Sequence, residues 1–305
     1  MENPASYDLA LSDAVLFFQS QDLPLIIDEV QRAPALFQAT KWLVDQSSEK
    51  GRIVLTGSQT YELTQGVSES LAGRIGILEM AGLSLRELMG GLRREGKYVP
   101  RLLKKRDVSS PEHLDLWATI QRGSMPQLVA SDIPWDRFWS SYVQAYLERD
   151  VRALINLKDE RKFYNFMVAM AARSRQLPNA SSIANDIDVD YKTVQAWTSI
   201  LQASGIVRIL YPFWPNTGKQ LTKTPKIFFM DTGLVCHLTR WTTPEQLRVG
   251  AVAGHVFETF VVSEVLKSHM NVGANLRDVW FYRDSKKREI DLVIQDGRTL
   301  HPVEV

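Results

Sequence analysis

Only one cysteine, Cys236, occurs in 305 residues, which excludes an internal disulfide and a cysteine-based zinc knuckle. It reads as a small buried side chain in a protein kept reduced. Long apolar runs are missing as well, since no stretch approaches the roughly 18 residues that a membrane span needs. The opening residues, MENPASYDLALSDAVLFF, are acidic ahead of a short apolar stretch and lack the basic start of a secretory leader. The expected location is the cytoplasm, with no membrane association. Net charge is nearly absent: 36 basic against 35 acidic side chains leave +1, so any nucleic-acid surface must be a local patch. His113, His237, His255, His269 and His301 share no metal-ligand spacing. There is no internal repeat and no low-complexity segment.

What is present is an ordinary globular composition, 45% hydrophobic and 23% charged, in a chain long enough for two or three compact units. Residues 23–30, LPLIIDEV, form an apolar run closed by Asp28 and Glu29. The run reads as a buried parallel strand that delivers two carboxylates to its C-terminal edge. RIVLTGS, 52–58, is a second such run. Between them Pro34 suits a first helical turn, Leu36, Phe37, Trp42, Leu43 and Val44 a buried face, and Gly51 a stop. The expected fold class is therefore α/β, beginning with a strand–helix–strand unit of a parallel sheet. A further short strand and a helix start are expected in VSESLAGRIGILEMAGLSLREL.

Residues 91–111 carry many basic side chains with little apolar periodicity and read as an exposed connection. From about 112 to 175 the pattern is helical, with Trp135, Phe138, Trp139, Tyr142 and Tyr146 at core spacing. A short helix, an acidic turn through Asp188 to Asp190 and a longer helix ended by Gly205 resemble a helix-turn-helix. IVRILYPF and the basic, turn-rich WPNTGKQLTKTPK then read as a β-hairpin, making the unit a winged helix. The last segment reads as a helix (254–269) and three strands, VWFYRD, EIDLVIQ and LHPVEV, with a turn at Asp296-Gly297. The expected divisions are 1–90, 91–160, 161–218 and 219–305.

Asp28-Glu29 has the form of a Walker B pair, in which the Asp holds Mg²⁺, usually through water, and the Glu polarises the attacking water. Taken alone, an Asp-Glu pair more often marks a strand that simply ends in solvated acids. The neighbouring stretches say more. LPLIIDEVQRAPALF and RIVLTGSQTYELTQGVSESLAGRIGILEMAGLSLREL resemble the prokaryotic AAA-family ATPases fused to a C-terminal domain of unknown function. SYVQAYLERDV, LQASGIVRILYP, KTPKIFFMDTGL, GHVFETFVVSEVLK, FYRDSKKREIDLVI and PVEV resemble that C-terminal domain.

The resemblance implies a P-loop ATPase core, a winged-helix-like middle and an end similar to PD-(D/E)XK nucleases, with ATP and Mg²⁺ as cofactors. It implies that Ser58 is a polar sensor of the γ-phosphate and Arg74 a second-site or trans-acting cation. At the far end it implies Asp291 and Glu304 as strand carboxylates of a metal site, with Glu258, or Glu264, as a third ligand from the preceding helix. Glu258 reads equally well as a solvated helix residue.

Two elements of that pattern are not in the sequence. No G-x-x-x-x-G-K-[ST] occurs, and the nearest match, GLRREGKY at Gly91–Tyr98, lacks the hydroxyl residue and follows the acidic pair. Without the glycine-rich cradle and its lysine the β- and γ-phosphates lose most of their ligands, so the chain alone is expected to hydrolyse ATP weakly or not at all. The lysine expected two residues after Glu304 is also missing. Loss at both ends points to one incomplete chain rather than two separate losses.

For nucleic acid, the second helix of the helix-turn-helix carries only Lys192 near Asp186, Asp188 and Asp190, leaving the hairpin lysines Lys219, Lys223 and Lys226 as the suitable contacts. Three readings stay open. One is an ATPase-family protein whose incomplete nucleotide site is either a remnant or a half-site completed by another subunit, with a homo-oligomer or an intact homologue as the expected partner. The others are a non-enzymatic DNA- or protein-binding module and a Mg²⁺-dependent nuclease.

Overall fold

Asn3 and Asp13 set the first two helices by accepting backbone N–H groups that a helix start leaves unpaired. Asn3 caps α1 (Pro4–Ser12), with Pro4 in the first turn, and Asp13 caps α2 (Ala14–Gln19). In this computed structural model the described residues are 3–57, 71–90, 96–100, 114–151, 159–176, 179–213, 224–274, 276–284 and 286–305, with side chains described for all but 148–150. They divide into two compact units, Met1–Ile77 and Leu78–Val305. Helix and strand are mixed in both.

In the first unit β1 (Leu25–Ile27) and β2 (Ile53–Leu55) pair in parallel, joined through α3 (Ala35–Val44). Phe17, Phe18, Ile27, Val30, Leu36 and Phe37 form the core. The helical connection is the one the sequence pattern predicts, but the strands are not buried on both faces. Ile26 and its register partner Val54 are 69% and 46% exposed, because alternate residues of a strand point to opposite faces and the core lies on Ile27's side. Trp42, expected on the buried face of α3, is 43% exposed, and the helix buries Leu36, Phe37, Ala39 and Thr40 instead.

The second unit begins with a segment expected in the first region. Residues 75–80 form neither strand nor helix, in contrast to the strand expected there. Ser84 and Glu87 then form a reciprocal capping box at the start of α4 (Leu85–Leu88). Leu83 donates to the Ser124 carbonyl at 2.8 Å, and Leu85 N–H to Glu264 Oε2 at 2.7 Å. Next come α5 (Leu116–Arg122), α6 (Pro126–Ala130) and α7 (Trp135–Ala145), which runs into a π-helical turn, Tyr146–Val151. α8 (Glu160–Ala172), α9 (Ala180–Asp186) and α10 (Tyr191–Ala203) follow, capped by Asp159, Asn179 and Asp190. β3 (Val207–Leu210) and β4 (Lys226–Phe229) are antiparallel. α11 (Thr232–Leu238), α12 (Pro244–Val249) and the long α13 (Ala253–Met270) lead to an antiparallel meander of β5 (Val279–Arg283), β6 (Glu289–Asp296) and β7 (Thr299–Val303).

The aromatic stripe of α7 is core: Trp139 is fully buried, with Trp135, Phe138 and Tyr142 packed around the same cluster. That cluster runs from Ile120 through Phe163, Phe166 and Trp197 to Val256, so residues on both sides of 160 and 218 share one interior. Phe163 and Phe166 meet Trp197 at 5.1 and 5.5 Å between ring centres, in edge-on contacts. A second cluster, including Phe228, Val262, Leu266, Phe281, Leu292 and Ile294, fixes α13 and β4 against the meander. That packing positions the charged groups described next.

Candidate functional site

At the end of β1 the chain turns abruptly. Thr56 N–H donates to the Ile27 carbonyl at 2.9 Å and Val30 N–H to the Thr56 carbonyl at 3.1 Å, which holds Asp28 and Glu29 at the C-terminal edge of the parallel pair. The Thr56 hydroxyl donates to Asp28 Oδ1. Glu29 adopts a left-handed backbone, φ 53° and ψ 46°, at the start of a 3₁₀ turn, Val30–Arg32. For a residue with a side chain that conformation costs about 1 kcal/mol or more, and such strain gathers at functional sites. Gln31 donates to Glu29 Oε2 at 2.6 Å.

Ser58, expected as the polar neighbour of the acidic pair, lies outside the described residues. Thr56 is the hydroxyl residue placed on Asp28, and the sequence signal was available: it is the first polar residue after the apolar run of β2. Arg74, expected as a cation for a nucleotide, is committed as a fork to Asp45 just after α3, with Nε–Oδ1 2.5 Å and Nη2–Oδ2 3.1 Å. The Arg74 hydrogen bond holds the Asp45 carboxyl below its ordinary range. The described residues fit one side of a Mg·nucleotide, since Asp28 is an exposed carboxylate oriented by a hydroxyl. They do not fit the other, because no glycine-rich phosphate cradle occurs in the sequence.

The far end of the chain assembles a different cluster. Lys226 opens β4 and is 2% exposed. Its Nζ lies 2.5 Å from Glu289 Oε1, 3.3 Å from Glu258 Oε1 and 3.7 Å from Asp291 Oδ1, with the Phe281 ring 5.3 Å away. Glu289 and Asp291 stand two apart on β6 and so share a face. Glu258, on α13, is 2% exposed and pairs also with Arg175. Burial pushes the Glu258 carboxyl up from its ordinary value, against the pull of Lys226 and Arg175. Leu292 pairs with Val303, so one step along the antiparallel register Asp291 and Glu304 face each other. Glu304 is exposed, and Val305 N–H donates to Asp291 Oδ2 at 3.1 Å.

Three expectations change here. Lys226, read as an exposed hairpin lysine for DNA, is instead the buried counter-ion of three carboxylates, because β4 lies inside the sheet–helix packing. Glu258 is not a solvated helix residue. The proposed metal ligands Asp291, Glu304 and Glu258 do not gather into a metal cage: among the described residues no group of three or more His, Cys, Asp or Glu is placed to hold an ion. An ammonium stands where a divalent charge was expected. Glu264 accepts from Leu85 N–H and pairs with Lys267 at 2.9 Å. Glu289, Arg175 and Arg283, which lies 3.6 Å from Glu289, were missed; only Glu289 had a signal, its i−2 relation to Asp291.

In the helix-turn-helix, Lys192 is exposed on the first turn of α10. Its acidic neighbours are partly neutralised, Asp186 by Arg173 and Asp188 by Lys162 at 2.9 Å. Lys219 and Lys223 lie outside the described residues.

Comparison with known families follows the same order along the chain. Residues 1–89 match the AAA domain. Residues 113–245 match a domain of unknown function (DUF8612) and residues 253–305 another (DUF4143). The matches support an AAA-family region fused to domains of unknown function. Two curated mycobacterial proteins, the uncharacterized protein Rv2008c of Mycobacterium tuberculosis and the uncharacterized protein Mb2031c of Mycobacterium bovis, are each 27% identical over 295 residues. Those residues are 96% of this chain and 60% of either relative, so the chain spans about 60% of the length of the relatives it matches. No solved structure matches. No helix is long and apolar enough to cross a membrane among the described residues.

Proposed function

We propose that this chain supplies the acidic half of a Mg·ATP site and hydrolyses ATP weakly or not at all by itself. The observation that carries the reading is the parallel pair that sets Asp28 and the left-handed Glu29 at one strand edge, with the Thr56 hydroxyl on Asp28. Asp28 would bind the magnesium side of the nucleotide through water, and Glu29 would orient the attacking water. The AAA domain match over residues 1–89 supports an AAA-family ATPase-like region around these residues. The phosphate cradle is supplied by residues other than these, such as those of an intact homologue.

In this reading α9 and α10 with β3 and β4 form a winged-helix-like unit, and α13 with the β5–β7 meander a nuclease-like end. The nuclease reading is not carried further, because among the described residues no three acidic side chains are placed to hold an ion. The test is ATP hydrolysis by the chain mixed with an AAA-domain protein that carries an intact glycine-rich loop. Stimulation above the sum of the separate rates, lost with Glu29→Gln, supports the proposal. Equal rates for wild type and Glu29→Gln in the mixture overturn it.

A further inference from the structure

A cleft of about 330 Å³ lies between α7, the start of α8 and the end of α11, within the range of small-molecule sites. Its apolar floor is Val143 and Leu147, both buried. Asp136 and Glu160 line it, as do Tyr164 and the exposed Arg240. His237 completes the lining, buried and edge-on to Trp135, with Nδ1 3.3 Å from Asp136 Oδ1. Burial pushes its pKa down, so the ring is neutral at pH 7. With Nδ1–H directed at Asp136, the other ring nitrogen is an acceptor.

Arg240 is the residue whose presence the fold does not explain. It follows α11 with φ 65°, its N–H donates to the His237 carbonyl at 3.3 Å, and Trp241 N–H donates to the Cys236 carbonyl at 2.9 Å. These two bonds close a Schellman turn, and the left-handed position in that turn ordinarily belongs to glycine. Among the described residues the Arg240 guanidinium has no hydrogen-bond or ion-pair partner. Neither backbone geometry nor a protein contact accounts for an arginine here. The π-helical turn Tyr146–Val151, which contributes Leu147 to the floor, is a second irregularity of a kind found often at functional sites.

We propose that this cleft binds a small zwitterion of the α-amino-acid type. Its carboxylate pairs with Arg240, its ammonium with Asp136 and Glu160, and its side chain lies over Val143 and Leu147. A simple anion would meet two carboxylates, and a simple amine would leave the guanidinium without a counter-charge. Only a ligand with both charges answers the whole lining.

The test is saturation-transfer NMR on the full chain with the common L-amino acids at millimolar concentration, with butylamine and butyrate as single-charge controls. At least one amino acid is expected to bind, and both controls to bind at least about tenfold more weakly, the scale of one charge-assisted contact. Arg240→Gly removes the anchor while relaxing the turn, so it should abolish binding with an unchanged or higher Tm. Asp136→Asn should weaken binding. The proposal is overturned by no binding from any amino acid, by a control that binds as tightly, by Arg240→Gly binding like wild type, or by Arg240→Gly lowering the Tm.

Discussion

The Nζ of Lys226 lies 3.3 Å from Glu258 Oε1, and each side chain is 3% exposed. An ammonium enclosed with Glu258, Glu289 and Asp291 is held by attraction that water scarcely screens. Removing it leaves Glu258 only Arg175 and Glu289 only Arg283 as cationic partners among the described residues, in a desolvated place. Lys226→Met is therefore expected to destabilise the folded chain by about 3–5 kcal/mol, measured by urea unfolding at pH 7. A loss under about 1 kcal/mol, the scale of an exposed pair, would show that the cluster is hydrated.

Glu258 adds a pH signature. Its folded-state pKa is raised by burial above the ordinary 4.5, so as pH climbs past that value the unfolded chain releases its proton first. The folded state then binds more protons, and the contribution of Glu258 to stability falls until its raised pKa is passed. Glutamine does not titrate. The stability of Glu258→Gln relative to wild type should therefore rise from pH 4.5 upward, read from urea midpoints at a series of pH values. A difference that is flat with pH would contradict the direction of the shift.

Glycine substitutions separate close packing from backbone preference. A Cβ on Gly233 would stand 2.4 Å from the Arg122 carbonyl oxygen and 2.8 Å from Gly123 Cα, where main chain has to move. Gly205 has φ 73° and open space around it. Gly233→Ala should cost about 3 kcal/mol, at the upper end of overpacking effects, and Gly205→Ala about 1 kcal/mol of backbone strain. Thermal denaturation of the two variants checks the order. The reverse order would place the first turn of α11 further from α5 than described.

What was legible in the sequence was mostly local. The spacing of apolar residues and the carboxylates that close LPLIIDEV anticipated β1, α3 and β2, and the acidic turn Asp188 to Asp190 and Gly205 anticipated α9 and α10. What was not legible came from long-range packing. Nothing near Lys226 in the sequence marks it as buried, since its partners Glu258, Glu289 and Asp291 are brought to it by α13 and β6. Arg74 was legible as a cation but not as the partner of Asp45, 29 residues away. The exposed Ile26 escaped the pattern because an apolar strand reads as buried on both faces whichever face is covered.

Titration calorimetry with Mg·ATP tests the central claim most directly, using the chain alone and then mixed with an AAA-domain protein that has an intact phosphate loop but whose own acidic pair has been neutralised. The account predicts no saturable binding by the chain alone in the micromolar range, saturable binding in the mixture, and its loss with Asp28→Asn. Micromolar binding by the chain alone, or none in the mixture, would contradict it.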